Sequence, residues 1–328
     1  MHHRQQMMML EVPNTNQLKA GISKLGATDV LEIEAFVSRL VQQQAVDIAL
    51  ARRVVATTSC VHCGAENPVR WGRSKAGTQR FRCLNCKSTF GATNNTPFFR
   101  LRNRHFWKPY LGLMGQHIAL RRLRSDHGIN LSIPTLHRWR HRFLAPLVAN
   151  PTTPLAGIVE ADEKFFRTSF KGSRGWKRGT PPQLRPARRR GVAQRQGLGK
   201  EQVPTLTAVD RSGAIHQALM PDLKHPTISK TLKPWIEPGS VLCTDGNHAY
   251  PKAAAKAKCD HIVAKKGGQN ATHLSIGRID AYHRDVENLV NRRCNGVSTR
   301  YLMNYFGWAR RITQHKPFGN DLLAELLA

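Results

Sequence analysis

The stretch Gly157-Ile158-Val159-Glu160-Ala161-Asp162 reads as an apolar strand that carries two acids, and the run of elements after it decides the fold class. Val203 to Val209 and Ala214 to Leu219 read as two more strands, joined by Asp210-Arg211-Ser212-Gly213 as a hairpin turn. A helix is expected over about Ile228 to Ile236, although Pro234 opposes its second half. Ser240 to Thr244 reads as a strand ending at Asp245-Gly246. Then come a short helix from Pro251 to Lys258, a short strand from Ile262 to Ala264, and a longer helix from Ile279 to about Cys294. Three strands in a row, then alternating helix and strand, then a closing helix, give a mixed α/β sheet. Residues 171 to 202, rich in Arg, Gly, Pro and Gln, are expected to form a mobile insertion between the first two strands.

The chain of 328 residues holds 51 Lys and Arg against 21 Asp and Glu, a formal charge of +30. This excludes an ordinary neutral metabolic enzyme as the default reading. A 40% hydrophobic content and a mean hydropathy of −0.44 describe a globular protein and not a disordered polycation. The positive charge is clustered. Ten basic residues and no acid lie between Lys171 and Lys200, Arg188, Arg189 and Arg190 among them. Arg121, Arg122 and Arg124 form a second group, and Arg138, Arg140 and Arg142 a third. Such clusters favour nucleic acid as the partner. No apolar run approaches the roughly 18 residues of a membrane span, and the N-terminus lacks an apolar export signal. A cytoplasmic protein with no membrane partner is expected.

Cys60 and Cys63 form one CxxC and Cys83 and Cys86 another, with 19 residues between the pairs. Two such knuckles facing each other make the closed four-thiolate cage of structural zinc. A zinc ribbon is expected over residues 56–98. Residues 1–55 carry Phe36, Leu40, Val41, Ile48 and Leu50 at roughly helical spacing, with no legible function. Residues 99–150 read as a helix from Phe106 to Arg124, a turn at Asp126-His127-Gly128, and a second helix capped by Ser132 with Pro134 in its first turn. This is the outline of a helix-turn-helix, whose second helix, with Arg138, Arg140 and Arg142, would enter the major groove of double-stranded DNA.

Against this basic background the acids of the last region, 151–328, line up. Asp162 ends the first strand and Asp245 the fourth, where ligands gather in open α/β sheets. Asp280 opens the final helix, with His283, Arg284 and Glu287 on the same face. Three converging carboxylates suit Mg2+ or Mn2+, and two such ions about 3.5 to 4 Å apart serve in-line phosphodiester displacement. The competing reading makes Asp245-Gly246 a simple turn and Asp280 a helix cap. Strand alternation puts Glu160 on the face of Asp162, as the reserve ligand, and turns Glu163 away.

The series Val159-Glu160-Ala161-Asp162-Glu163, Thr244-Asp245-Gly246, Asp280-Ala281-Tyr282-His283 and Asn295-Gly296-Val297-Ser298-Thr299-Arg300-Tyr301-Leu302, with Asn304-Tyr305 and Gly307-Trp308, resembles bacterial insertion-sequence transposases of the ISXO2-like group. That group belongs to the DDE superfamily with a ribonuclease H-like core, preceded by a zinc ribbon and a helix-turn-helix. The resemblance implies binding of terminal inverted repeats, metal-dependent strand cleavage and strand transfer, and a homo-oligomer that joins two ends. Carried over by position, Asp162, Asp245 and Asp280 are the metal ligands, and His283 is a further candidate. Relatives tend to place a Lys where this chain has Glu287, so either Arg284, Arg292 or Arg293 takes its place at the DNA or the helix carries a one-residue shift, and Glu287 is itself a candidate ligand. A DNA-binding regulator without chemistry, or a nuclease without strand transfer, are the rival readings.

Overall fold

The computed structural model describes residues 14–172, 199, 201–264 and 274–328. Most of the basic insertion, with Arg188, Arg189 and Arg190, lies outside the described residues. The chain divides into two compact units, one running to Ala92 with Leu101–Pro109 added, the other comprising Thr93–Arg100 and Tyr110–Ala328.

In the first unit, helix α1 (Thr15–Ile22) is opened by a capping box in which Asn14 and Gln17 accept each other's backbone N–H. Helix α2 (Ala27–Val55) bears out the helical spacing read from the sequence. Of the residues that suggested it, only Leu50 is buried, together with Val46. Strands β1 (Val69–Arg73), β2 (Gln79–Arg82) and β3 (Thr89–Gly91) form an antiparallel sheet in that order. Phe81 and Phe90, opposite each other across β2 and β3, stack with ring centroids 5.6 Å apart beside Cys60 and Cys83. The core of this unit is small, and four cysteines gather beside it.

Helix α3 (Trp107–Gly115) stops well before Arg124, and α4 (Leu120–Ser125) follows. His117, at φ +55, breaks what the sequence suggested was one helix. Helix α5 (Ile133–Leu144) starts as expected, with the Ser132 hydroxyl accepting from the Thr135 amide and Pro134 in the first turn.

The second unit is built on a five-stranded sheet in the order β6-β5-β4-β7-β8. These strands are β4 (Ile158–Arg167), β5 (Gln202–Asp210), β6 (Ile215–Leu219), β7 (Val241–Thr244) and β8 (Asp260–Val263). The first three are antiparallel neighbours, whereas β4, β7 and β8 run parallel. The mixed α/β class holds. Helices α6 (His225–Leu232) and α7 (Tyr250–Ala257) cover one face, where Ile228, Leu232, Tyr250 and Ala253 meet Val159, Ala161, Leu206 and Leu242. As Pro234 foretold, α6 ends at Leu232. Helices α8 (Gly277–Glu287) and α9 (Leu302–Thr313) lie against β4, β5 and β6, and α10 (Asn320–Leu327) closes the chain. The long final helix expected from the sequence is therefore α8 continued by a π-helical turn, Asn288–Arg293.

The helical pair and the sheet share this second unit, and α9 joins them. The Arg140 guanidinium lies over the Trp308 ring, whose indole N–H donates to the Met114 carbonyl. Arg310 donates to the Leu147 carbonyl at 2.7 Å. Gly307 sits so close to the Leu147 carbonyl that a β-carbon there would overlap it. Gly307→Ala must push α9 from the 145–148 turn. It is expected to destabilise the protein by about 1 to 3 kcal/mol, read as a lower thermal midpoint with unchanged secondary structure.

Candidate active site and metal centres

Strand β4 does not end at Asp162, as the sequence suggested, but runs on to Arg167 because it pairs with β5 over its whole length. On its other side β7 pairs only with Ile158, Val159 and Glu160. Beyond Glu160 that edge of β4 is bare of β7, and the chain leaving β7 turns away at Gly246, φ +96, just after Asp245. Asp162 and Glu163 thus stand beside the place where β7 stops. Oxygens of Asp162, Glu163 and Asp245 lie within 4.8 Å of one another.

Glu163 is the residue that sequence reasoning turned away. Its alternation is as expected, since it faces α7, where Tyr250 is buried, and not α8. It still reaches the other two acids because the strand edge there is open. The Asn247 side-chain amide donates to it at 3.4 Å. Burial, with the charges of Asp162 and Asp245 added, pushes its carboxyl up to about 7, while the nearby Tyr250 hydroxyl pulls it down. The fully buried Tyr250 hydroxyl is itself pushed up, by burial first and then by the Glu163 charge.

The even-numbered residues of β4 meet α8 in order. Glu160 is fully buried, and both its oxygens are engaged: one takes the Arg211 guanidinium at 2.5 Å, the other the amides of Arg278 and Ile279 at 2.9 and 3.1 Å. Glu160 is thus committed to holding the helix start and not free as a reserve ligand. Next, Asp162 Oδ2 is 3.6 Å from His283 Nδ1. Finally, Lys164 Nζ pairs with Glu287 at 2.9 Å. Asp280 is half-buried one turn before His283 on the same face of α8, outside the group of three clustered carboxylates.

The four expected cysteines of the ribbon come together, with Cys60 Sγ to Cys86 Sγ 3.7 Å and Cys63 Sγ to Cys83 Sγ 3.6 Å. A tetrahedral ion with Zn–S bonds of about 2.3 Å sets its sulfurs about 3.8 Å apart, so the donor set fits zinc. The Ser88 hydroxyl and amide hold the Cys86 thiol down at about 6, while burial and its hydrogen bonds to the other three thiols push Cys63 up to about 11. The oxygen-only set of Asp162, Glu163 and Asp245 fits a hard divalent cation instead.

The basic residues divide sharply. Arg138 is exposed on α5, and Arg292 and Arg293 are exposed on the π-helical turn. Arg140 is buried, donating to the Ile118 carbonyl, and Arg142 donates to the Phe99 carbonyl at 2.6 Å. Burial lowers the Arg142 pKa. Charge density in the sequence did not reveal that these two guanidinia are bonded to backbone carbonyls, Arg140 from a buried position and Arg142 from a partly buried one. Lys171, at the edge of the insertion, donates to the Asn295 and Gly296 carbonyls, and Ser169 exchanges hydrogen bonds with Thr299. The closing Asn-Gly-Val segment is accordingly a tie onto the end of β4.

Residues 154–308, just under half the chain, match the ISXO2-like transposase domain family. They form an ISXO2-like transposase domain. No curated protein matches the chain significantly. Among solved structures, a chain from a simian T-cell lymphotropic virus intasome, determined by cryo-EM in complex with PP2A regulatory subunit B56 gamma, is similar at 10% identity and a TM-score of 0.29. That alignment covers 59% of this chain and spans 64% of the other, less than two thirds of its length. So low a score leaves the fold to be read from the sheet itself. No helix among the described residues is long and apolar enough to cross a membrane.

Two outcomes are expected from this geometry. Purified protein should carry one zinc per chain by elemental analysis, and Cys83→Ser should lose the metal and the ribbon fold. In metal-free protein, Glu163 keeps a proton when folded that it gives up when unfolded. Its contribution therefore falls as pH rises from about 4.5 to about 7 and stays low above that. Glu163→Gln is expected to raise the thermal midpoint at pH 8 by the equivalent of about 2 to 3 kcal/mol and to leave it unchanged near pH 4.

Proposed function

We propose that the protein is a DNA transposase that recognises the terminal inverted repeats of its element and carries out metal-dependent strand cleavage followed by strand transfer. The observation that carries this reading is the gathering of Asp162, Glu163 and Asp245 at the end of β7, inside a transposase domain. The meander β4-β5-β6 followed by parallel β7 and β8 supports a ribonuclease H-like core.

In this reading Asp162, Glu163 and Asp245 hold one Mg2+ or Mn2+. Asp280, on the α8 face that His283 turns toward Asp162, serves a second. When bound, such a pair stabilises the attacking and leaving oxygens of a phosphodiester displacement. His283 fixes the Asp162 carboxylate from the helix side. Lys164 keeps Glu287 neutralised, so that this acid does not add to the repulsion facing a DNA backbone. The exposed Arg138, Arg292 and Arg293, with Arg188, Arg189 and Arg190 of the insertion, contact phosphates of double-stranded DNA. Their contribution falls steeply with salt. The four-cysteine zinc ribbon and the α4–α5 pair, as a helix-turn-helix, find the site. Two chains are needed to join two ends.

Incubating the protein with Mn2+ and a plasmid bearing the element's ends tests this. Wild type is expected to nick and join, and Asp162→Asn and Asp245→Asn to fall at least about a thousandfold. Asp280→Asn is expected to lose cleavage while still binding one Mn2+ by calorimetry. Cut but unjoined ends would make it a nuclease of the same fold. Absence of nicking, or nicking unchanged in Asp245→Asn, would refute the enzyme and leave a DNA-binding regulator.

A further inference from the structure

The 29 residues of α2 make a rod about 43 Å long. Its inner side is accounted for: Val46 and Leu50 are buried, and Val54 packs against the ribbon core of Cys60, Phe81, Cys83 and Phe90. Its opposite side carries a second apolar line. Val30, Ile33, Val37 and Leu40 step at intervals of three and four residues, and Val41, Ile48 and Val55 continue the line at sevens. From Val30 to Val41 this is the seam spacing of a coiled coil, and beyond it the line keeps one large apolar residue per heptad. Val37, Leu40 and Val41 are about half exposed, and Ile48 and Val55 are 55% and 80% exposed. Exposed apolar residues are commonplace singly, but a file along an entire long helix is an interaction surface.

Charge identifies the occupant. Between Lys24 and Arg39 the chain has Asp29, Glu32 and Glu34 and no basic residue, in a protein whose net charge is +30. DNA phosphates are repelled from such a stretch. The last turns of the same helix carry the opposite sign, Arg52 and Arg53, with no acid after Asp47. Glu34 and Arg52, both exposed, are 18 residues apart, about five whole turns, and so border the same edge of the seam. Two such helices laid antiparallel bring each acidic end against the other's basic end and seam against seam.

We propose that α2 is the self-association surface of this protein: two copies pair through an antiparallel coiled coil of α2, with Glu34 of each chain against Arg52 of the other. This gives the oligomer required by the proposed function a specific location, and it forms without DNA.

The test is sedimentation of the full-length, zinc-loaded chain without DNA or added divalent metal. The wild type is expected to be a dimer. Val37→Glu combined with Ile48→Glu is expected to be a monomer with unchanged helical content and zinc. Glu34→Arg is expected to weaken the dimer about tenfold, and Glu34→Arg with Arg52→Glu to restore it. A wild-type monomer up to ~100 µM, or a dimer indifferent to the seam substitutions, overturns the proposal. Failure of the double charge exchange to restore affinity overturns the antiparallel pairing. Mn2+-dependent nicking is assayed separately, so loss of one reading does not carry the other with it.

Discussion

The carboxylate of Glu160 fixes the relation between the sheet and the helix that flanks the site. It is buried in the central strand and bonded on one oxygen to Arg211, in the β5–β6 turn, and on the other to two amides at the start of α8. A buried charge is costly unless its lone pairs are filled, and this one is filled from two separate elements. Helix α8 has no side-chain cap of its own, so the first-turn amides that a capping residue would satisfy are met by the strand instead. The positive end of the helix dipole adds to that attraction. Losing Glu160 would take the ion-pair acceptor from Arg211 and the acceptor of two amides from the start of α8, which makes it a structural acid.

Once the start of α8 is pinned, its register along β4 is set. Two residues of strand advance about 6.6 Å and one helical turn about 5.4 Å, so successive even-numbered residues of β4 meet successive turns of α8. Asp162 then faces His283, and Lys164 faces Glu287. The Lys164–Glu287 pair is partly exposed, and by itself adds little stability. Its consequence is local: it removes one negative charge from the approach to three carboxylates. The result is a graded line of acids along one strand, the first spent on architecture, the second open at the site, with a lysine balancing the helix acid beyond.

The parts of this arrangement that are legible in the sequence are those in which the chemistry is local. The two CxxC pairs announce a four-sulfur cluster because each knuckle brings its own two ligands together. Asp162 and Asp245 stand out because acids are scarce and both adjoin apolar strands. Glu160 is misjudged from sequence because alternation tells which face a residue takes but not what waits there, and its partners lie 51 and 118 residues away. Glu163 escapes notice for a different reason. Its inclusion depends on where the neighbouring strand stops, and that is a property of β7 and not of β4. Arg140 and Arg142 look in the sequence like any basic cluster, and only their distant acceptors, the Ile118 and Phe99 carbonyls, reveal them as ties within the fold.

The same distinction sharpens the meaning of the large positive charge. Some of it is spent inside the fold: Arg140, Arg142, Arg310 and Arg311 bond backbone carbonyls, and Arg211 secures Glu160. A protein that used every arginine for DNA would have no reason to bury any. Here guanidinium groups, which present several donors in a rigid fork, satisfy carbonyls of the turns and connections between helices, at Phe99, Ile118, Leu147 and Pro317. Among the described residues, the charge available to a polyanion is therefore that of exposed side chains such as Arg138 on α5 and Arg292 and Arg293 on the π-helical turn. The one long helix that opens with three acids and no base is, by the same reasoning, the part of the chain least suited to lie against DNA.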